Sequence, residues 1–565
     1  MNPNVYIPIL DFQTLDVDGL CEMAAELELS MSQETLLFCQ KYYLEEARRA
    51  PSAAELLMLD RLIGETASAM EYQTVAELYT DETYIAETYA DMMARRRALT
   101  PDATVPPSFS EISTLGRRHL DGSLPAWDKK PTVAAGKAHS RKMAAKRKSK
   151  GYEDELVSIG GGNPSAGICR TPIAVGDTVY AVLRGANEGE DFDRTLDLFL
   201  ASTAVVNWAK EILPVNGKSA LFSLLTLARP IEFTRFSLHG EKDLLSPEDG
   251  AILITDVPSA AELLMEAHDL GLRVQKLGKV TNDGNFRIPF TEEIEHPLAL
   301  SFLSALLYTR QNTVEVGKGS PEDTLLQISP SSSFTLNKTP YCVTKVTASG
   351  SSPFHASLYA AVGGMSVAVA GGADPSRFSI ATTLAAPENK ADPIALGNSL
   401  AAIMGLYRAE AEFSLYNCTT TFEEGEKTPT VSLWTMAPTE KPIPDTVVGG
   451  GTKIFYLEPQ YAEGGLPDFE SFRKLHSYVY GLHKDGLILS ARAASGDLFK
   501  ALGKMSLGAE IEYIRGERIM AKLGGILVES KSEINGIFVA RTEEILPEPP
   551  LTEEKDEPLL TNSDT

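Results

Sequence analysis

A glycine-rich turn is the clearest candidate for ligand binding in this chain. Residues 371–375 read Gly-Gly-Ala-Asp-Pro and follow small residues that predict a helix over 357–370. Glycines let a ligand approach the backbone closely, and an aspartate just beyond a helix can orient a metal ion or a sugar hydroxyl. Gly371, Gly372 and Asp374 are therefore candidate binding residues. A helix-terminating turn explains the same glycines and the proline, and spacing alone favours that interpretation.

Other motifs with chemical potential are incomplete. The segment 162–169 has the glycine spacing of a phosphate loop but ends in Ile-Cys, where Lys-Ser or Lys-Thr is needed. The segment 212–219 has Gly-Lys-Ser but begins with isoleucine instead of glycine. The eight histidines form no metal-binding pair on one helical face, and the five cysteines form no Cys-x-x-Cys pair. The sequence therefore names no catalytic residue and no metal ligand.

Hydrophobic periodicity predicts the elements that would position the turn. Apolar residues at helical spacing indicate helices between about 16 and 97, with Ser30 or Ser32 and Ser52 as possible N-caps. Strand and helix signals alternate from about 157 onward, which indicates an α/β or α+β fold. The predicted strands are 178–183, 251–257, 273–280, 430–436, 453–457 and 525–529, and the other predicted helices are 194–213, 259–270, 393–408, 469–482 and 498–505.

Composition limits the class of protein. The chain has 565 residues, 43% of them hydrophobic, which is typical of a globular protein with about three or four domains. A formal charge of -25 disfavours general binding to nucleic acid or to anionic membranes. The scattered cysteines, and the lack of a signal-like amino terminus or a run of about 18 apolar residues, indicate a cytoplasmic protein that does not span a membrane.

Four segments together resemble a known enzyme family. They are 32–43 (SQETLLFCQKYY), 373–375 (Ala-Asp-Pro), 413–417 (FSLYN) and 524–529 (GGILVE). Their order and sequence are similar to those of phosphoribosylformylglycinamidine synthase, an ATP-dependent ligase of purine biosynthesis. The resemblance implies a helical domain followed by ATP-binding modules, each an amino half joined to a carboxyl half. It also adds Asn417 to the candidate nucleotide-binding residues.

The same resemblance implies that catalytic side chains have been replaced. The family's histidine for the amidation chemistry corresponds to Thr66, and threonine does not titrate near neutrality. A metal-binding carboxylate corresponds to Ile380, which has no oxygen ligand for magnesium. The family's Gly-Asn before Ser-Leu-Tyr-Asn is Ala411-Glu412, and its Ala-His-Asp-x-Ser-Asp-Gly-Gly pattern is Ala-Arg-Ala-Ala-Ser-Gly-Asp at 491–497. These independent changes predict a member that has lost the ligase reaction.

The resemblance and the composition together predict six segments. The expected fold class is α/β (α+β), with a small helical domain, one amino half and two carboxyl halves. The first amino half of the family and its glutaminase domain have no counterpart in this interpretation. The segments are 1–97, the helical domain; 98–150, a flexible basic linker; 151–330, the first carboxyl half; 331–440, the amino half; 441–545, the second carboxyl half; and 546–565, a disordered acidic tail.

The functional hypotheses stay open at this stage. The leading one is a degenerate synthase homologue that at most binds a nucleotide, ATP or ADP with Mg2+, near Gly371, Gly372, Asp374 and Asn417. One alternative is an active synthase that receives ammonia from a partner. The other is a non-enzymatic interaction or regulatory protein.

Predicted partners follow from the same hypotheses. We expect a homodimer formed through residues 334–438, or association with a synthase or glutaminase subunit, and no membrane contact. The basic segment 129–150 is either a solvated linker or a contact for RNA or an acidic partner.

Overall fold

The computed structural model describes residues 7–68, 70, 73–99, 106–113 and 115–116, then separate stretches up to 307, and most of 311–543. Those stretches are 174–183, 211–216, 224, 231–233, 249–255, 260–261, 264–265, 273–289 and 295–307. From 311 onward the gaps are 337–338, 388–391, 426–427, 508–509 and 515–518. The basic segment 129–150, the glycine-spaced segment 162–169 and the tail 546–565 lie outside the described residues.

Three helices form the start of the described chain: α1 (Val17–Glu26), α2 (Gln33–Glu45) and α3 (Ala53–Ser68). Ser32 caps α2, where its side chain accepts a hydrogen bond from the Thr35 amide. Ser52 and Glu55 form a reciprocal capping box at α3, because the Ser52 amide donates to Glu55 and the Glu55 amide donates to Ser52. Both predicted caps are confirmed at these serines.

The amino-terminal segment also contains a strand that the sequence analysis did not predict. Strand β1 (Thr74–Tyr79) pairs in parallel with β9 (Gln311–Glu315), and α4 (Thr83–Leu99) follows β1. The prediction of a wholly helical pattern from 16 to 97 is therefore wrong for β1. Local periodicity missed β1 because its hydrogen-bond partner is more than 230 residues away in the chain.

The predicted linker 98–150 begins with packed residues rather than flexible chain. Helix α5 (Phe109–Ser113) lies within it, and Phe109, Ile112 and Leu115 are each at most 1% exposed. These side chains join the main hydrophobic core, and the Glu111 carboxylate pairs with Arg96 of α4 at 2.8 Å. For residues 106–116 the linker prediction is wrong, because three apolar side chains suffice to anchor a segment this short.

A seven-stranded sheet occupies the middle of the chain, in the order β3-β5-β2-β6-β4-β7-β8 among the described residues. Helix α6 (Leu300–Leu307) follows it. Side chains of α1 to α3, of α6 and of this sheet share one core. The strands are β2 (Thr178–Leu183), β3 (Glu211–Asn216), β4 (Ile231–Phe233), β5 (Asp249–Thr255), β6 (Arg273–Val280), β7 (Asn285–Pro289) and β8 (Glu295–Ala299).

The next unit is a six-stranded sheet covered on one face by two long helices, α7 (Pro353–Ala370) and α8 (Pro393–Phe413). Its order is β10-β12-β15-β13-β14, and β11 also pairs with β12. Small residues let the helices approach closely: a Cβ on Gly364 would lie 2.5 Å from Thr435 Oγ1 of the sheet. The strands are β10 (Leu325–Ile328), β11 (Ser332–Leu336), β12 (Thr339–Ser349), β13 (Ser379–Pro387), β14 (Tyr416–Gly425) and β15 (Thr430–Pro438).

A five-stranded antiparallel sheet completes the described chain, in the order β17-β19-β16-β20-β18. Helix α9 (Phe469–Lys484) packs against α7, so the main core continues from the six-stranded unit into this one. Helix α10 (Leu498–Met505) buries Leu498, Leu502 and Met505 in a separate cluster. The strands are β16 (Lys453–Leu457), β17 (Ser490–Asp497), β18 (Ile511–Tyr513), β19 (Met520–Ser530) and β20 (Ile537–Thr542).

The predicted fold class, α/β or α+β, is confirmed by this mixture of helices and sheets. Strands β2, β6 and β16 and helix α10 have the predicted bounds. Residues 211–213, which the sequence placed in a helix, belong to β3, and the rest of that helix prediction lies outside the described residues. The prediction for 259–270 is described only at 260–261 and 264–265, which are helical.

Within the described part of the chain, one helix has the length and composition that a membrane span requires. It is α7, and 89% of the relevant window is buried inside the protein. Its apolar residues are accounted for by contacts with β12, β15, α8 and α9.

Candidate functional site

A cleft of about 500 Å³ lies between the six-stranded and five-stranded units. One wall consists of β10, the turn 329–331 and helix α7. The other wall consists of β17 and α10, with Leu523 and Gly524 of β19 beside them. The cleft therefore forms where two sheets with separate hydrogen-bond networks share one core, a common location for ligand sites.

Three glycines line the cleft on the α7 side and allow close packing there. Gly363 lies in α7, Gly371 directly follows it, and Gly524 belongs to β19. Gly524 has φ 82°, and a Cβ there would lie 2.5 Å from Phe472 Cε1 and 3.1 Å from Ser366 Oγ. This position therefore requires glycine for both conformation and space.

The predicted turn 371–375 lies at the carboxyl end of α7, and only Gly371 of the four candidate residues lines the cleft. Gly372 has φ 96°, and a Cβ there would lie 2.7 Å from the Lys441 carbonyl oxygen. The Asp374 carboxylate accepts hydrogen bonds from the amide and the hydroxyl of Ser376. These contacts are those of a helix-terminating turn, the alternative that the spacing favoured.

Asn417 lies apart from the cleft, beneath α8. It is 2% exposed, and its Nδ2 donates to Glu410 Oε1 at 2.7 Å and to Thr420 Oγ1 at 3.0 Å. Both amide hydrogens are therefore used inside the protein. Its Oδ1 has no hydrogen-bond partner among the described residues. The structure thus does not bring Asn417 together with Gly371 around one ligand.

Basic side chains on the opposite wall were not named as site residues by the sequence analysis. Arg492 of β17 and Lys500 and Lys504 of α10 all line the cleft. The Arg492 guanidinium pairs with Asp445 at 2.8 Å. The spacing of the three buried apolar residues of α10 could have indicated that Lys500 and Lys504 lie on its other face.

Acidic side chains on this wall are already engaged. Asp445 is the partner of Arg492, and Asp497 caps α10 by accepting a hydrogen bond from the Phe499 amide at 3.0 Å. Three cations and two carboxylates therefore line the cleft, and both carboxylates have partners within the protein. This balance favours an anionic ligand.

A buried cysteine contacts Gly371 and has low nucleophilic reactivity. The Cys342 thiol donates to the Gly371 carbonyl oxygen at 3.1 Å, and burial raises its pKa to about 11. A thiol with a raised pKa is a poor nucleophile near neutrality. Cys342 therefore supports the turn rather than providing covalent chemistry.

The positions that the resemblance marked as replaced lie in different environments. Ile380 lies in β13 with 0% exposure, inside the main core. Residues 491–497 form most of β17, and several of them line the cleft beside α10. Thr66 lies in α3, but its side chain lies outside the described part of the structure. Among the described residues, no group of three or more histidine, cysteine, aspartate or glutamate side chains could hold a metal ion.

Comparison with known proteins gives only remote structural likenesses. No protein-family model and no curated protein matches the chain. T. maritima PurL complexed with FGAR is 12% identical, with 66% of this chain and 72% of that chain covered and a TM-score of 0.40. PurLQS from Thermotoga maritima is 11% identical, with 67% and 73% covered and a TM-score of 0.40. Thiamine monophosphate kinase (ThiL) from Aquifex aeolicus is 12% identical, with 38% and 88% covered and a TM-score of 0.29.

Proposed function

We propose that this protein is a nucleotide-binding homologue of phosphoribosylformylglycinamidine synthase that has lost the ligase reaction. The observation that carries the proposal is the cleft between α7 and α10. Its volume of about 500 Å³ suits a nucleotide, one wall is lined by apolar side chains and glycines, and the other carries three cations. Gly371 is the one predicted binding residue that contributes to it directly.

Two features support the loss of chemistry. Ile380, which corresponds to a metal-binding carboxylate in the resemblance, is fully buried in β13 among apolar side chains. Arg492 corresponds to the histidine of the family's Ala-His-Asp-x-Ser-Asp-Gly-Gly pattern, and its guanidinium is paired with Asp445. An arginine stays protonated, so it can hold a phosphate but cannot act as a general base near neutrality. These two residues support the proposal that the chain binds without turnover.

The remaining predicted residues have supporting roles in this proposal. Gly372 and Asp374 fix the turn that ends α7, and this turn places Gly371 at the cleft. Asn417 joins β14 to Glu410 of α8. If a nucleotide is bound with Mg2+, the phosphate oxygens would supply most of the ligands of the ion.

A paired binding and turnover experiment tests the proposed function. We expect ATP and ADP to bind the purified protein in calorimetry. With ATP, Mg2+, ammonium and formylglycinamide ribonucleotide together, we expect no amidine product above a control without protein. Product that depends on the ribonucleotide would instead support the active synthase. Absence of nucleotide binding by folded protein would contradict the proposal and leave the partner-binding alternative.

We also propose that two copies pair through residues 334–438. Helices α7 and α8 cover one face of the six-stranded sheet, and Trp434 lies on the other face with Lys345 Nζ 5.0 Å from its ring centroid. The Trp434 side chain is only half-buried, so a second copy that packs on this face would bury it further. Light scattering after size exclusion is expected to give the mass of a dimer. A monomer at every concentration tested would remove this proposal.

A further inference from the structure

The two lysines of α10 provide the excess positive charge of the cleft. Arg492 is paired with Asp445, whereas Asp497 accepts a hydrogen bond from a neutral amide and keeps its negative charge, so three cations and two carboxylates leave a formal charge of +1. Lys500 and Lys504 line the cleft without an ion-pair partner among the described residues. Their side chains are exposed, so an incoming ligand can reach them without displacing a protein group.

The spacing of these lysines is unfavourable in the absence of an anion. Residues four apart on a helix lie on one face with their Cβ atoms about 5–6 Å apart, and like charges there destabilise the helix by a few tenths of a kcal/mol. α10 has only eight residues, and its other face is committed to the core. An anion that contacts both ammonium groups would turn this repulsion into attraction.

The opposite part of the cleft is apolar. Leu326 and Ile328 of β10, Val367 of α7 and Leu523 of β19 line it around Gly363. An ideal Cβ on Gly363 would lie 3.3 Å from Ile328 Cδ1 and 3.6 Å from Leu523 Cδ1. Ile328 and Leu523 therefore pack directly against the Gly363 backbone, and together they form a continuous apolar surface on which a flat group can lie.

Resting on the proposed nucleotide-binding function, we propose that Lys500 and Lys504 bind the phosphates of a nucleoside di- or triphosphate and that the apolar wall around Gly363 receives its base. Two separated ammonium groups match a ligand with two phosphoryl groups better than a ligand with a single phosphoryl group. A nucleoside alone would leave both lysines unpaired, and inorganic pyrophosphate would leave the apolar wall empty. Recognition thus requires both ends of the ligand.

The direct test compares two double variants that remove the same charge. K500A/K504A removes the lysines of the cleft, whereas K474A/K484A removes two exposed lysines of α9, outside the cleft. Calorimetry with ADP, AMP, adenosine and pyrophosphate is done at low and moderate salt without magnesium. We expect K500A/K504A to bind ADP at least about tenfold more weakly, since the variant loses two charge-assisted hydrogen bonds to the phosphates. Adenosine binding should change less than about twofold, because adenosine carries no phosphate.

Further outcomes separate this inference from the proposed function. If the unaltered protein binds ADP and K500A/K504A binds it equally well, the lysines are not the phosphate site, while nucleotide binding stands. The same conclusion follows if K474A/K484A loses as much affinity, or if AMP binds as tightly as ADP. If none of the four probes binds the unaltered protein, and neither ATP nor ADP binds it when magnesium is present, both the inference and the proposed function are rejected. Circular dichroism verifies folding, and K500R/K504R should retain ADP binding.

Discussion

Gly405→Ala should destabilise the protein strongly, although it replaces a helical glycine with the best helix former. Gly405 lies in α8 where it crosses α7, and an added Cβ would lie 2.2 Å from the Phe354 carbonyl oxygen and 2.9 Å from Ser357 Cβ. Neither neighbour can move by rotating a side chain, so the two helices must separate within the main core. We expect a loss of about 3 kcal/mol in the free energy of unfolding, the upper range for an overpacked core.

Gly481→Ala provides a matched control for this change. Gly481 lies in the interior of α9, and an ideal Cβ there meets no atom within 4 Å. The same substitution should therefore stabilise the protein by about 0.5–1 kcal/mol, through helix propensity alone. Denaturant unfolding followed by circular dichroism measures both variants. Equal effects of the same sign would show that the close contact between α7 and α8 does not govern stability.

Glu529→Gln should produce the second large effect, because Glu529 is a fully buried carboxylate with four donors around it. It is 0% exposed and accepts from the Val448 and Gly449 amides at 3.0 and 2.9 Å. The hydroxyls of Thr452 and Ser490 donate to it at 2.8 and 2.6 Å. This carboxylate therefore joins the segment before β16 to strands β17 and β19.

A glutamine at this position cannot reproduce the hydrogen bonds. One carboxylate oxygen becomes an NH2 group that faces the N–H of Val448 or Gly449. This backbone N–H is fixed in place, so it cannot turn toward another acceptor. We expect a loss of about 2–4 kcal/mol, as for a charged hydrogen bond lost together with a buried donor left unsatisfied. Denaturant unfolding measures the loss.

Glu533→Gln is the control for charge. Glu533 is 72% exposed, and it forms an ion pair with Lys453. An exposed ion pair contributes about 0–1 kcal/mol, so this variant should unfold almost as the unaltered protein does. If Glu529→Gln also changed the free energy of unfolding by less than about 1 kcal/mol, the four hydrogen bonds would not be a significant source of stability.

The sequence predicted local elements well where periodicity was complete. Strands β2, β6 and β16 and helix α10 have the predicted bounds, and the caps at Ser32 and Ser52 form as expected. No strand was predicted at β1, β4, β8 to β14, β17, β18 or β20. They are paired through contacts distant in the chain or lie between other elements, and period-two alternation is weak in strands buried on both faces, as β13 is.

The candidate site was predicted only in part. The sequence indicated the turn at Gly371 because glycine and proline leave a local signature. It could not indicate that Asn417 would bond to Glu410 or that Lys500 and Lys504 would face Gly363, since each relation joins distant segments. The resemblance placed Arg492 among the replaced positions, and the structure adds that this arginine is paired with Asp445.

By itself the sequence determined the helices with complete periodicity, the strands with clear alternation and the turn that ends α7, because these depend on residues within a few positions of one another. Tertiary structure alone decided which glycines tolerate a side chain. Gly405 and Gly481 have the same helical setting, yet one meets the backbone of α7 and the other meets nothing within 4 Å. It also decided the charge of the cleft, because Arg492 is paired with Asp445, a residue that lies 47 positions away in the sequence.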